Sequence, residues 1–445
     1  MDCTRDIETM QTKLNLITEV AKGDKKCKIN NVAYLLNVPN LKECYGLLKR
    51  GKATGIDGVS VEEYGKNLET NLENLVESMK RQAYKPQPVR RTYIPKANGK
   101  LRPLGIPSVE DKVVQKGIAR ILNAIYEEDF LDFSYGFRPE RSAHQALKRL
   151  DEIIMTKPIN HIIDADIKGF FDNVCHEWMM KFLAHRIDDP NLLRLIGRFL
   201  KNGYMEEEKL FATDKGTPQG GIISPILANV YLHYVLDLWF EKRVKGQCRG
   251  VAEIVRYADD FVICVQFKDD ADKIYEMLRA RVEEFNLSLA EDKTRIIGFG
   301  RYSVKNAKSK GERPESFNFL GFTHYVGKSR KGNFLLGRKT DRKKMTAKLM
   351  ELKLWLKEAK SKSPVKEWWK ILRSKLTGHF RYYGVSGNTR SIKQFFQVVV
   401  RIVLRCLNRR SQMKSYNWET FSRYLKNNPL PRPQVYHNFY VNYVN

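Results

Sequence analysis

Asp259 and Asp260 stand side by side in Val255-Arg256-Tyr257-Ala258-Asp259-Asp260-Phe261-Val262-Ile263, between two apolar runs that read as buried strands. The pair therefore belongs at a hairpin tip. Adjacent carboxylates repel each other and are costly there unless cations neutralise them, as a divalent metal does. Upstream, Ile163-Asp164-Ala165-Asp166-Ile167-Lys168-Gly169-Phe170-Phe171-Asp172 is a second strand running into acidic residues. An isolated Asp-Asp pair is ordinarily a solvated turn. Apolar flanks and a second acidic strand point instead to a split site for phosphoryl transfer. Two magnesium ions about 4 Å apart would there activate a 3′-hydroxyl and stabilise departing pyrophosphate. Magnesium prefers hard oxygen ligands, which carboxylates supply.

Two further segments fit such a site. Gly216-Thr217-Pro218-Gln219-Gly220-Gly221-Ile222-Ile223-Ser224-Pro225-Ile226-Leu227-Ala228-Asn229 opens on glycines that let the backbone approach a base pair, and Gln219 offers an amide to an incoming nucleotide. Thr92 to Pro107 alternates in character around Asn98-Gly99 and reads as a hairpin presenting Lys96, Lys100 and Arg102. A triphosphate needs such cations: Arg gives phosphate a two-pronged hydrogen bond, Lys a point charge. For Lys100 a solubilising edge charge is an equal reading.

The Tyr257-Ala258-Asp259-Asp260 string resembles the signature of reverse transcriptases, and the Gly216–Asn229 string resembles that family's nucleotide-pocket motif. The resemblance implies an α+β right-hand polymerase: fingers, a palm with an antiparallel sheet, then a helical thumb. It implies catalysis by Asp166, Asp259 and Asp260, with two magnesium ions held by these three and by Ile167. Deoxynucleoside triphosphates would be the substrates, contacted by Lys96, Arg102 and Gln219. Phe171, five residues after Asp166, falls at the family's aromatic gate, where a ring under the sugar excludes the 2′-hydroxyl. One of Phe170 and Phe171 is expected to be core. Lys293, in Leu289-Ala290-Glu291-Asp292-Lys293-Thr294, matches a general acid for the departing pyrophosphate, with a plain surface lysine as the competing reading. Asp164 and Asp172 are expected to be structural.

Charge distribution carries the next inference. The net charge is +28 over 445 residues, and residues 326 to 445 hold 28 Lys+Arg against 5 Asp+Glu, or 28 − 5 = +23. The other 325 residues carry only 28 − 23 = +5. A basic face this concentrated points to a polyanion such as folded RNA or a nucleic-acid duplex. No apolar run reaches transmembrane length and no signal peptide opens the sequence, so a bacterial cytoplasmic location is expected. Seven scattered cysteines without a C-x-x-C pair suit a reducing compartment and imply no structural zinc. Cys175-His176 with His185 lacks matching partners for a metal.

The resemblance implies three regions: 1–90, an N-terminal extension and start of the fingers; 91–325, fingers and palm; and 326–445, a basic helical thumb/maturase domain with a short C-terminal DNA-binding tail. The Gly51–Ser60 loop resembles a family segment beside the template. Ser142 and Gln145 read as a capping box for a helix whose Ala143, Ala146, Leu147, Leu150, Ile153 and Ile154 face the core. Phe317–Phe322 resembles the primer-grip hairpin. Beyond about 335, amphipathic helices are expected. One stripe is Met345, Leu349, Leu352 and Leu356; another is Ile392, Phe395, Phe396, Val399 and Val403. Arg401, Arg405 and Arg409 recur four apart with no acidic residue between Ser391 and Ser411, a cationic stripe suited to phosphates.

Within the family the resemblance is to group II intron-encoded reverse transcriptases, or maturases, of the compact bacterial class without an endonuclease. It rests on the N-terminal extension, Gly136-Phe137-Arg138-Pro139 and Gly378-His379-Phe380-Arg381-Tyr382-Tyr383-Gly384. The partners it implies are group II intron RNA, an RNA template with a DNA primer, and target DNA, with a monomer or homodimer as assembly. His379 stands where many relatives carry Trp in what resembles an RNA-binding patch. A domesticated polymerase in phage defence or DNA repair, and a splicing factor with a dead polymerase, are the competing readings. The intact acidic triad argues against the latter.

Overall fold

A computed structural model describes residues 10–95, 101–206, 209–212, 214–217, 220–309, 311–329, 331–409 and 416–440. The chain folds as two compact units. The first comprises Met1–Ala146, Ala165–Ile263 and Asp269–Arg295; the second comprises Leu147–Asp164, Cys264–Lys268 and Ile296–Asn445.

Three sheets carry the architecture. Val89–Pro95 and Leu101–Ile106 pair antiparallel, with Pro95 opposite Leu101, so the hairpin read around Asn98-Gly99 forms, its tip lying outside the described residues. Tyr204–Glu206 and Lys209–Phe211 extend that sheet. A second sheet runs in the order Ala252–Tyr257, Asp260–Val265, His161–Asp166, Arg295–Gly298. Its strands are short apolar runs, and Ile254, Val255, Phe261, Val262 and Ile263 are buried. The third sheet joins Ser316–Phe319, Phe322–Lys328 and Phe334–Thr340.

In the first unit the N-terminal region is anchored by buried polar side chains. Arg186 pairs with Asp129 at 2.9 Å and donates to the carbonyls of Ala21, Asp24 and Cys27. Asp189 accepts from the main-chain N–H groups of Val32 and Ala33 while capping the Pro190–Leu200 helix. Gly55, within the Gly51–Ser60 loop, packs on Ser108, where an added Cβ would come within 2.6 Å of backbone. The capping box also forms: Gln145 N–H donates to Ser142 Oγ at 3.3 Å and Ser142 N–H to the Gln145 amide oxygen at 2.6 Å.

The basic C-terminal region of the second unit departs from the sequence reading at its start. The chain does not turn helical at 335; Phe334–Thr340 is a strand, and the helix Arg342–Lys362 begins only after Asp341 caps it by accepting from Lys344 N–H at 2.8 Å. Arg338 disguised that strand, because it points inward. Its side chain is fully buried in an ion pair with Asp151 and also donates to the Ser386 carbonyl at 3.4 Å. Helices Arg342–Lys362, Val365–Tyr383 and Thr389–Asn408 then pack as read, burying Leu352 and Leu356 against Ile392, Phe395, Val399 and Val403. His379 belongs to this core and not to a surface patch: its ring stacks on Phe395 at 3.6 Å, and burial pushes its pKa down to about 4.

Candidate active site

The acidic hairpin forms where the sequence puts it. Tyr257 ends one strand, Asp260 begins the next, and Ala258 and Asp259 make the turn, with Ala258 at a φ of 58°. That left-handed conformation is uncommon for a residue with a side chain. Main-chain bonds from Tyr135 N–H to the Arg256 carbonyl and from Arg256 N–H to the Phe133 carbonyl, both 2.9 Å, hold the incoming strand.

Asp166 ends the His161–Asp166 strand, and its charge acts on Asp259, so the two carboxylates share one electrostatic environment. Burial, and then the Asp166 charge, raise the Asp259 carboxyl above its ordinary range; Arg102 and Arg256 pull the other way. Arg102 is exposed on the Leu101–Ile106 strand. Lys293 is ion-paired to Asp166, and the hydrogen bond to that carboxylate, followed by its charge, raises the lysine's pKa. On either side of Ile167, Ala290 N–H donates to the Asp166 carbonyl and Lys168 N–H to the Ser288 carbonyl, leaving the Ile167 carbonyl outside that pair of bonds. Among the described residues no three carboxylate, imidazole or thiol side chains converge on one ion. What the site offers is two electrostatically coupled carboxylates with hard oxygens. Magnesium in such sites is held by one or two carboxylates plus substrate phosphates, so the donor set fits.

The two phenylalanines separate cleanly. Phe170 is buried against Tyr231, whereas Phe171 is half-buried and lines a pocket of about 490 Å³ with Asp172, Gly216, Thr217, Pro103 and Gly105. The glycine-rich loop is tied to that ring's own backbone: Thr217 N–H donates to the Phe171 carbonyl at 2.8 Å. Gly216, at a φ of 90°, passes so near that a Cβ would lie 2.9 Å from the carbonyl oxygens of Phe171 and Asp172. Gly220 packs as closely on Gly105, and buried Gln115 receives Ile222 N–H at 2.8 Å. Lys96, Lys100 and Gln219 lie outside the described residues. His176 serves this loop too, its ring nitrogen 2.6 Å from the Gly216 carbonyl. Sequence reasoning had no signal for Gln115 or His176, since each is a single polar residue whose partner is distant backbone.

Hairpin-tip carboxylates, an acidic strand end beside them and a glycine loop bracing an aromatic ring make up the palm of a nucleic-acid polymerase. A family model described as reverse transcriptase (RNA-dependent DNA polymerase) matches residues 94–324, just over half of the chain, and the chain belongs to that family. It is 34% identical over 321 residues to the group II intron-encoded protein LtrA of Lactococcus lactis subsp. cremoris, covering 59% of this chain and 53% of that protein. To protein YkfC of Escherichia coli K12 it is 34% identical over 325 residues, covering 65% and 84%. An uncharacterized 91 kDa protein in the cob intron of Schizosaccharomyces pombe shares 37% over 214 residues, or 48% and 25%. The chain thus spans about half the length of the Lactococcus relative.

Proposed function

We propose that this chain is an RNA-directed DNA polymerase that binds group II intron RNA, assists its splicing and copies it into DNA at a target site. The observation that carries the polymerase half is the placement of Asp259 in the hairpin turn and of Asp166 at the end of the strand that neighbours that hairpin in one sheet. When bound, two magnesium ions would supply charge for the attacking hydroxyl and the leaving pyrophosphate. Asp166, Asp259, Asp260 and the Ile167 carbonyl are the oxygens to hold them. Arg102, with Lys96 and Gln219, orients the triphosphate and base. Lys293, already a hydrogen-bond donor to Asp166, would donate to departing pyrophosphate.

Phe171 is the sugar gate in this reading, because Phe170 is committed to the core and the Thr217 bond fixes the Phe171 backbone. Phe171→Val should raise ribonucleotide incorporation about tenfold or more relative to deoxyribonucleotide, with the latter still measurable. Single-turnover incorporation of each type reads this out; an unchanged ratio would remove the gate from Phe171.

Nucleic-acid binding is supported by the second unit. A groove of about 380 Å³ is lined by Leu354, Leu356, Val398, Ile402 and Cys406 together with Lys353, Lys357, Lys360, Arg405 and Arg409. Apolar and cationic side chains lining one groove suit sugar faces and phosphates together. No described helix is long and apolar enough to cross a membrane. The direct test is primer extension by the purified chain on an RNA template with magnesium and deoxynucleotides, together with splicing of a group II intron RNA. Extension without splicing would favour the domesticated-polymerase reading; splicing without extension would favour the splicing factor.

A further inference from the structure

Behind the Tyr257–Asp260 turn lies a polar cluster that metal chemistry does not use. Arg256 precedes the turn with its side chain wholly out of solvent. Its Nε donates to Asp237 Oδ1 at 2.7 Å and its Nη2 to Oδ2, a two-pronged pair in which both side chains are fully buried. The remaining nitrogen, Nη1, donates to the Ala258 carbonyl at 3.0 Å and to the Asn229 side-chain oxygen at 3.1 Å. Asn229 in turn donates its amide to the Gly136 carbonyl at 2.7 Å. Gly136 lies so close that a Cβ on it would run into the backbone of Tyr257 and Ala258. Asp237 comes from the π-helical turn His233–Asp237, a local geometry frequent at functional sites.

The bond to Ala258 matters because of peptide planarity. The Ala258 carbonyl and the Asp259 N–H belong to one rigid plane, so a donor that fixes the carbonyl fixes the orientation from which the Asp259 side chain departs. A charged donor makes that bond roughly twice as strong as a neutral one. The plane follows a residue in the left-handed region, where an unsupported turn would relax.

We propose that Arg256, held by Asp237 and Asn229, is a positioning residue that sets the Ala258–Asp259 peptide plane and thereby the direction in which Asp259 presents its oxygens to a divalent cation. The proposal rests on the polymerase reading above. Removing Arg256 alone would strand Asp237 in the core, so the informative variant is Arg256→Met with Asp237→Leu, which withdraws both charges together. Extension on an RNA template is measured against magnesium and nucleotide concentration, alongside thermal melting. The expected result is melting close to that of the parent chain, a kcat lower by about 10- to 100-fold, as sub-ångström to 1 Å misplacement gives. The magnesium requirement should rise and the nucleotide KM should change little. Parental kcat and magnesium dependence in a folded double variant overturn the proposal. Should that variant melt below assay temperature, Asn229→Ala carries the same readouts without exposing a charge: a raised magnesium requirement supports positioning, and parental values overturn it. Failure of the parent chain itself to extend would instead sink the polymerase reading.

Discussion

Asp259→Asn is expected to abolish RNA-templated primer extension while making the metal-free protein harder to melt at neutral pH. The activity loss should be on the order of 10³-fold or more, since metal-borne charge stabilisation is worth several kcal/mol. The stability gain follows from the direction of the Asp259 shift. Burial and the Asp166 charge raise its carboxyl pKa in the folded state, so the folded chain binds that proton more readily than the unfolded one. Its contribution to stability is present below the ordinary carboxylate pKa and is lost as pH rises through the raised value. At neutral pH the ionised group therefore works against the fold, and asparagine relieves it. In acid, where Asp259 is already protonated, the gain should vanish. Melting of both forms across pH 3 to 8, estimated as the span around a raised carboxyl, checks the sign. A variant that melts lower at every pH, or that still extends, would mean the half-buried Asp259 carboxylate is not the metal ligand proposed.

The second large effect concerns the groove of the second unit. Replacing Lys353, Lys357, Lys360, Arg405 and Arg409 together by glutamine should weaken RNA binding and flatten its salt dependence. With about 0.7 in the log–log slope per phosphate contact to a single strand, five lost contacts would flatten it by up to about 3.5. These residues are chosen over removal of the whole basic region. Cutting near residue 335 would take Arg338 away and leave Asp151 a buried unpaired charge, which costs about 3–5 kcal/mol. Binding isotherms at several salt concentrations decide the matter, and an unchanged slope would move the nucleic-acid face elsewhere. Asp259→Asn should keep the parental slope, because it alters only the proposed metal ligand and leaves the cationic groove whole.

Much of this was readable along the chain because the signals are local. Strand alternation around Asn98-Gly99, the serine and glutamine bracketing the Ala143–Thr156 helix, the 3.6-residue stripe from Ile392 to Val403 and the acidic pair between apolar strands each depend on residues within a few positions of one another. Each feature formed in the structure among the described residues. The strand ending at Thr340 was hidden for the opposite reason: a buried arginine looks like a solvated one until its carboxylate is located far away in sequence.

The sequence by itself determined the chemistry available: which oxygens could hold a metal, which cations could meet phosphate, and where positive charge accumulates. Tertiary structure decided the assignments. Phe170 went to the core and Phe171 to the pocket, although both are phenylalanines in one short string, because Tyr231 packs one and Thr217 tethers the backbone of the other. His379 went inside, stacked on Phe395. Lys293 went to Asp166, and Arg256 to Asp237, Asn229 and the turn it braces. Periodicity can report which side of an element is wet, but a hydrogen bond between distant residues leaves no periodic trace, and only folding brings its two ends together.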